Sequence, residues 1–236
     1  MKAIHLRTEY LQNPLGLNIS CPKFYWQCEG GIKQTAYQII AKAGEETVWN
    51  SGKVESSSMT HIPYGGRPLK SRERVHWSIK LWDENGEGGE ISSAWFELGL
   101  LDGADWKAKW ITGSYKVKKR ERYPADCFRK CLSIGKEVRS ARLYITACGL
   151  YEAKLDGEKI GNFCLAPGHT DYRKRVQYQA YDVTELLSVG DHALTVMLAD
   201  GWYRGSIGAW GIRNQYGTET KLLAQLEVAY SDGSCD

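Results

Sequence analysis

The chain has 236 residues, 42% hydrophobic and 25% charged, which is ordinary for folded protein and excludes a disordered chain. Its 31 basic and 28 acidic residues leave a net charge of +3, too balanced for the basic footprint of a nucleic-acid partner. Seven cysteines without repeated spacing, a start Met1-Lys-Ala-Ile-His-Leu-Arg7 without an apolar segment, and no run near the ~18 apolar residues of a membrane span point to reduced thiols in a cytoplasmic protein with no membrane partner.

Residues 1–103 read as one small all-β domain. Lys23-Phe-Tyr-Trp-Gln27, Ala36-Tyr-Gln-Ile-Ile-Ala41 and Val75-His-Trp-Ser-Ile-Lys-Leu-Trp82 are short, aromatic and β-branched. In the third, Val75, Trp77, Ile79 and Leu81 alternate with polar residues, the period of a half-buried strand. Turns are expected at Asn50-Ser-Gly-Lys53, Pro63-Tyr-Gly-Gly-Arg-Pro68 and Asp83-Glu-Asn-Gly86, giving a sandwich of roughly seven strands. That alternation makes Trp77 a core residue, and Trp26 and Trp82 are likewise read as packing rather than as sugar platforms.

Leu101 to Ile111 marks the domain boundary, where Trp106 and Trp110, four apart, are expected to pin the two domains together. Lys116-Val-Lys-Lys-Arg-Glu-Arg122 reads as a solvated loop. Cys127-Phe-Arg-Lys-Cys131 lacks a second Cys/His pair at zinc-finger spacing, so two small buried thiols on one strand face are expected.

Residues 104–236 are again β. Ala141, Leu143, Ile145 and Ala147 alternate with polar partners, as do Tyr151, Ala153 and Leu155 before a turn on Asp156-Gly157. Asp182-Val-Thr-Glu-Leu-Leu187 predicts one helical turn capped by Asp182 or Thr184. Strands are expected at Ala193–Leu198 and Lys221–Tyr230, and Tyr230-Ser-Asp-Gly-Ser-Cys-Asp236 reads as a hairpin turn just entered.

Two segments concentrate turn, basic and aromatic residues: Ala166-Pro-Gly-His-Thr-Asp-Tyr-Arg-Lys-Arg-Val-Gln-Tyr-Gln-Ala-Tyr-Asp-Val-Thr184 and Asp200-Gly-Trp-Tyr-Arg-Gly205. Through them the chain resembles the N-terminal accessory region of bacterial α-L-rhamnosidases, inverting glycoside hydrolases that remove terminal rhamnose. Tyr10–Gly16, Trp49–Val54 and Leu81–Gly86 carry a similar resemblance to the fibronectin type III-like, immunoglobulin-like sandwich of that family. Leu155–Gly161, Tyr181–Thr184 and Leu194–Leu198 resemble galactose-binding-like jelly rolls, here expected to be incomplete at the C-terminus. The resemblance implies that catalysis belongs to a downstream α/α barrel, the expected partner of this chain, and that the substrates are rhamnose-containing glycosides.

Inverting chemistry needs two carboxyl groups about 6.5 to 9.5 Å apart, one with a raised pKa. Asp171, Asp182, Glu185 and Asp200 are the acids near the two segments, and each has a turn or helix-start role, so no catalytic residue is assigned. Sugar contact asks only for aromatic faces and planar hydrogen-bonding groups, and Asp171, Tyr172, Arg175, Trp202, Tyr203, Arg204 and Trp210 are the candidates. The same evidence leaves open that Arg173, Lys174 and Arg175 dock the barrel, that Trp202 plugs the sandwich, or that the chain is a stand-alone carbohydrate-binding module. Asp156, Asn162 and Asp171 offer hard oxygen atoms but form no dense acidic loop, so neither metal nor cofactor is expected. The two segments are expected to lie together on one face of the second sandwich.

Overall fold

In the computed structural model, which describes residues 1–118, 121–208 and 210–236, the chain is nearly all β, with 47% of residues in strands and 4% in helix. It divides into two units, Met1–Asp105 and Trp106–Asp236.

The first unit contains nine strands: β1 (Lys2–Thr8), β2 (Leu15–Leu17), β3 (Lys23–Glu29), β4 (Ala36–Ala43), β5 (Glu46–Asn50), β6 (Val54–Glu55), β7 (Ile62–Pro63), β8 (Arg74–Trp82) and β9 (Ser92–Leu98). One sheet has the order β1-β3-β7 and the other β2-β9-β8-β4-β5, with β6 also on β4. The period-2 pattern of β8 places Val75, Trp77, Ile79 and Leu81 in the core, none more than 1% exposed. β8 is therefore the centre of its sheet, paired with β4 (Ile39 opposite Ile79) and with β9 (Trp77 opposite Ala94). From the facing sheet Phe24 brings its ring to 4.5 Å from that of Trp77. Trp26 is also buried and donates its indole N–H to Gln34 Oε1 at 2.9 Å, while Trp82 is half-buried.

The second unit holds β10 (Asp126–Ile134), β11 (Val138–Cys148), β12 (Leu150–Leu155), β13 (Glu158–Lys159), β14 (Gln179–Asp182), β15 (Gly190–Ala199) and β16 (Lys221–Tyr230). Its sheets run β10-β15-β12-β13 and β14-β11-β16, all antiparallel, and they enclose a core that includes Leu143, Ile145, Ala153, Leu155, Val196 and Leu198. Asp156 and Gly157 have φ of +51° and +89°, the backbone that a tight two-residue hairpin requires. The expected helical turn is a 3-10 turn over Thr184–Leu186, where Asp182 Oδ1 accepts the Thr184 N–H at 3.1 Å.

One expectation is reversed. Cys127 and Cys131 do share a face of β10, but it is the solvent face, and both thiols are exposed. Phe128, Leu132 and Ile134 take the inward positions instead, because their apolar area gains more from burial than two thiols would. Near the boundary, the Trp106 ring lies edge-on to Tyr178 at 5.5 Å and to Tyr144 at 6.5 Å, all within the second unit, and Trp110 is exposed. Of the basic run, Lys116, Lys118 and Arg122 are exposed, and Lys119 and Arg120 lie outside the described residues.

Candidate functional site

The two motif segments meet at one end of the second sandwich. The first leaves β12's neighbourhood through Ala166, which exchanges a backbone pair with Tyr151, and turns at Asp171, whose carbonyl accepts the N–H groups of Lys174 and Arg175. Tyr172 lies inside that turn and donates its hydroxyl to the Gly168 carbonyl at 2.9 Å. The second segment opens with a single helical turn, α1 (Gly201–Arg204). Gly201 has φ +51°, and a Cβ there would come within 2.5 Å of the Leu150 side chain, so only glycine lets the helix start this close to β12.

Ring contacts join the segments. His169 lies 5.5 Å from Trp202 and 6.3 Å from Tyr216, and Tyr172 lies 5.3 Å from Tyr203 and 5.1 Å from Tyr216. The Arg173 guanidinium sits 5.5 Å over the Tyr216 ring, a cation–π arrangement. Burial raises the Tyr172 hydroxyl to about 12 and moves that of Tyr203 in the same direction, so both are neutral hydrogen-bonding groups near pH 7. Trp202 and Tyr203 are half-buried, Arg175 is exposed, and Trp210 is 90% exposed on a small hairpin in which Ile207 pairs with Ile212.

Arg204 departs from the exposed basic group expected of it. Its side chain is 4% exposed, with Nε at 2.6 Å from Asp200 Oδ1, while Arg213 Nη2 donates to Asp200 Oδ2 at 2.9 Å. The Tyr123 ring lies 5.4 Å from the Arg204 guanidinium and stacks on Tyr115 at 4.8 Å. Burial alone would lower the Arg204 pKa, but the facing Tyr115 hydroxyl and the Asp200 carboxylate more than reverse this and keep the cation. Tyr115 donates its hydroxyl to Asp126 Oδ2 at 3.2 Å, and among the described residues Nη1 of Arg204 has no acceptor in hydrogen-bond geometry. Asp200 and Arg204 thus form a structural clamp under the aromatic face.

Of the other acids, Glu185 is exposed at the 3-10 turn, whereas Asp171, Asp182 and Asp156 are committed to partners. Asp171 pairs with Arg173 Nε at 2.9 Å, which holds its carboxyl below the usual range, the opposite of what a general acid requires. Asp182 caps the 3-10 turn and pairs with Arg142 at 2.9 Å. Asp156, considered above as an oxygen donor for a cation, accepts from His192 Nδ1 at 2.6 Å and from the Ala193 N–H at 2.7 Å. His169, Tyr216 and Arg213 were not among the sequence candidates. His169 lies within the first motif and was open to notice, whereas Tyr216 and Arg213 sit in a loop whose pattern carries no signal.

The chain is thus an immunoglobulin-like sandwich followed by a jelly-roll sandwich that carries a polar-aromatic loop face. Comparison with known proteins agrees: residues 3–102 match the Rha78A-like, N-terminal immunoglobulin domain, and residues 136–236 match the Alpha-L-rhamnosidase N-terminal domain. The chain is similar to an alpha-L-rhamnosidase of Formosa agariphila, 38% identical over 99% of this chain but 27% of that protein. The structure of an Aspergillus terreus alpha-L-rhamnosidase superposes with a TM-score of 0.92 at 33% identity, over 100% of this chain and 28% of that one. A Streptomyces avermitilis alpha-L-rhamnosidase, solved in complex with L-rhamnose, gives a TM-score of 0.85 at 26% identity, over 100% of this chain and 40% of that one. The chain belongs to the α-L-rhamnosidase family and corresponds to its N-terminal region. It spans about a quarter to two fifths of the length of the curated relatives it matches.

Proposed function

We propose that this chain is the non-catalytic N-terminal part of an α-L-rhamnosidase polypeptide acting on terminal rhamnose of glycosides, and that it positions or stabilises a catalytic α/α barrel. The observation that carries this reading is the state of the four acids near the motifs: Asp171, Asp182 and Asp200 each hold an arginine partner, and Glu185 stands exposed at the 3-10 turn, so none is a buried carboxyl placed to protonate a leaving group. The loop face of Trp202, Tyr203, Arg175 and Trp210, with Tyr172 buried beneath it, is then a contact surface for the barrel and for carbohydrate at its border. The 90% exposure of Trp210 supports this, because a ring of roughly 150–250 Å² seldom stays exposed without a partner. Seven unpaired thiols favour a reducing, cytoplasmic setting.

The test compares Arg175→Ala and Trp210→Ala in the 236-residue chain and in a complete enzyme. Both residues are exposed, so the chain alone should keep its Tm within about 2 °C, in line with surface changes of ~0.5 kcal/mol or less. The complete enzyme should melt several degrees lower. Equal effects in both would remove the docking role. The stand-alone binding-module reading instead requires a rhamnose-dependent change in tryptophan fluorescence of the 236-residue chain that disappears in Trp202→Ala.

A further inference from the structure

The larger sheet of the first unit has a second face that its core does not use. On β8 the inward Val75, Trp77, Ile79 and Leu81 leave Arg74, His76, Ser78, Lys80 and Trp82 on the outer side. Strand pairing extends this side across the sheet: His76 stands opposite Lys42 of β4 and Trp95 of β9, and Lys80 stands opposite Gln38. Two indoles, Trp82 and Trp95, are therefore half-buried here, each beside cations. The Arg74 guanidinium lies 4.3 Å from the Trp95 ring, and Lys53 and Lys80 place Nζ 5.2 and 5.3 Å from that of Trp82.

Charge is segregated onto this face. Residues 1–105 hold 11 lysines and arginines against 13 aspartates and glutamates, so the unit as a whole is slightly acidic. Its outer face nonetheless gathers Lys42, Lys53, Arg74 and Lys80. Arg74 pairs with Glu97 at 2.8 Å and Lys53 with Glu55 at 2.9 Å, whereas among the described residues Lys42 and Lys80 have no carboxylate partner. The cations and rings form two stations. Trp95 with Arg74 and Lys42 lies level with His76, and Trp82 with Lys80 and Lys53 lies six residues further along β8, about 20 Å at ~3.4 Å per residue. Ser78 and, opposite it, Ser93 lie between them, small side chains that leave a shallow floor.

We infer that this face binds an extended anionic polysaccharide, whose acid groups meet Lys42 and Lys80 and whose pyranose faces lie against Trp95 and Trp82. A small anion reaches only one station, so the spacing selects a polymer. An acidic peptide is matched less well, because the sheet offers it side chains here and no unpaired backbone edge. A phosphate polymer would meet a unit whose net charge repels it. The face belongs to the first unit and owes nothing to the loop cluster of the second, so its binding and the accessory role proposed above stand or fall separately.

The experiment is native affinity electrophoresis of the 236-residue chain through gels that contain polygalacturonate, dextran sulfate, neutral dextran or polyglutamate. The two acidic polysaccharides should retard the chain and the neutral one should not. Retardation by polygalacturonate alone assigns the acid as a carboxylate, and by dextran sulfate alone as a sulfate. Lys42→Gln combined with Lys80→Gln should weaken the apparent affinity roughly tenfold. Lys23→Gln, an exposed cation on the other sheet, should leave it unchanged, and all these variants should keep the parent Tm. The proposal is overturned if neither acidic polysaccharide retards the chain, or if the double variant binds like the parent. It is equally overturned if Lys23→Gln weakens binding as much, which would mean attraction by overall charge, or if polyglutamate binds as tightly as the polysaccharides, which would mean an acidic-peptide surface.

Discussion

The Asp200–Arg204 clamp makes a quantitative demand on Asp200→Asn. The substitution keeps the shape of the side chain and one carbonyl acceptor but removes the charge that faces two guanidiniums. Arg204 is 3% exposed, so its charge would lose its counter-ion with no water to replace it. Breaking a buried pair in this way costs about 3–5 kcal/mol, and the partial exposure of Asp200, 22% of its side chain, places the expected loss near ~3 kcal/mol. In a unit of this size each kcal/mol moves Tm by about 3–5 °C, so the transition of Trp106–Asp236 should fall by roughly 10 °C in differential scanning calorimetry. Asp200→Asn combined with Arg204→Met removes the stranded charge as well and should recover part of that loss. A fall of less than about 3 °C for the single variant, or no recovery in the double, would refute the clamp.

Three further outcomes follow from the same coordinates. His192 Nδ1 faces the Asp156 carboxylate and Nε2 the Ser188 carbonyl, contacts that raise its pKa, Asp156 contributing most; its contribution to stability is complete below the unfolded value of about 6.5 and is lost as pH rises through the higher folded value, so Tm should drop as pH rises above about 6.5, and His192→Gln should flatten that slope. Trp77→Ala should lower the stability of the first unit by about 3–5 kcal/mol in urea unfolding, since Trp77 is 1% exposed and packed on Phe24, and a loss under ~1 kcal/mol would contradict its place in the core. Cys127 and Cys131 should react with a chromogenic disulfide reagent without denaturant, and serine at either position should remove one fast equivalent; slow reaction of both would return them to the interior.

Most of the strand content could be read from the chain because period-2 alternation needs no tertiary information. β8, β11, β12 and β16 lie where Val75–Leu81, Ala141–Ala147, Tyr151–Leu155 and Lys221–Tyr230 place them. Alternation says which residues share a face, not which face meets the core, and so the pattern alone does not reveal that Cys127 and Cys131 take the solvent side of β10. The meeting of the two motif segments was legible from their shared wealth of rings and cations. The burial of Arg204 was less so, although Asp200 and Arg204 stand four residues apart and that spacing is a signal for a pair on one helical turn. Tyr115, Tyr123, Arg213 and Tyr216 reach the cluster from distant segments, which only the folded chain brings together.

The central claim is that these 236 residues carry no glycosidase chemistry of their own. The direct measurement is release of p-nitrophenol from p-nitrophenyl α-L-rhamnoside by the purified chain at high protein concentration, across about pH 4 to 8. With Asp171, Asp182 and Asp200 each bound to arginine and Glu185 exposed at the 3-10 turn, the rate should equal that of buffer alone. Turnover above buffer that co-purifies with the chain and disappears in Asp171→Asn would contradict the account.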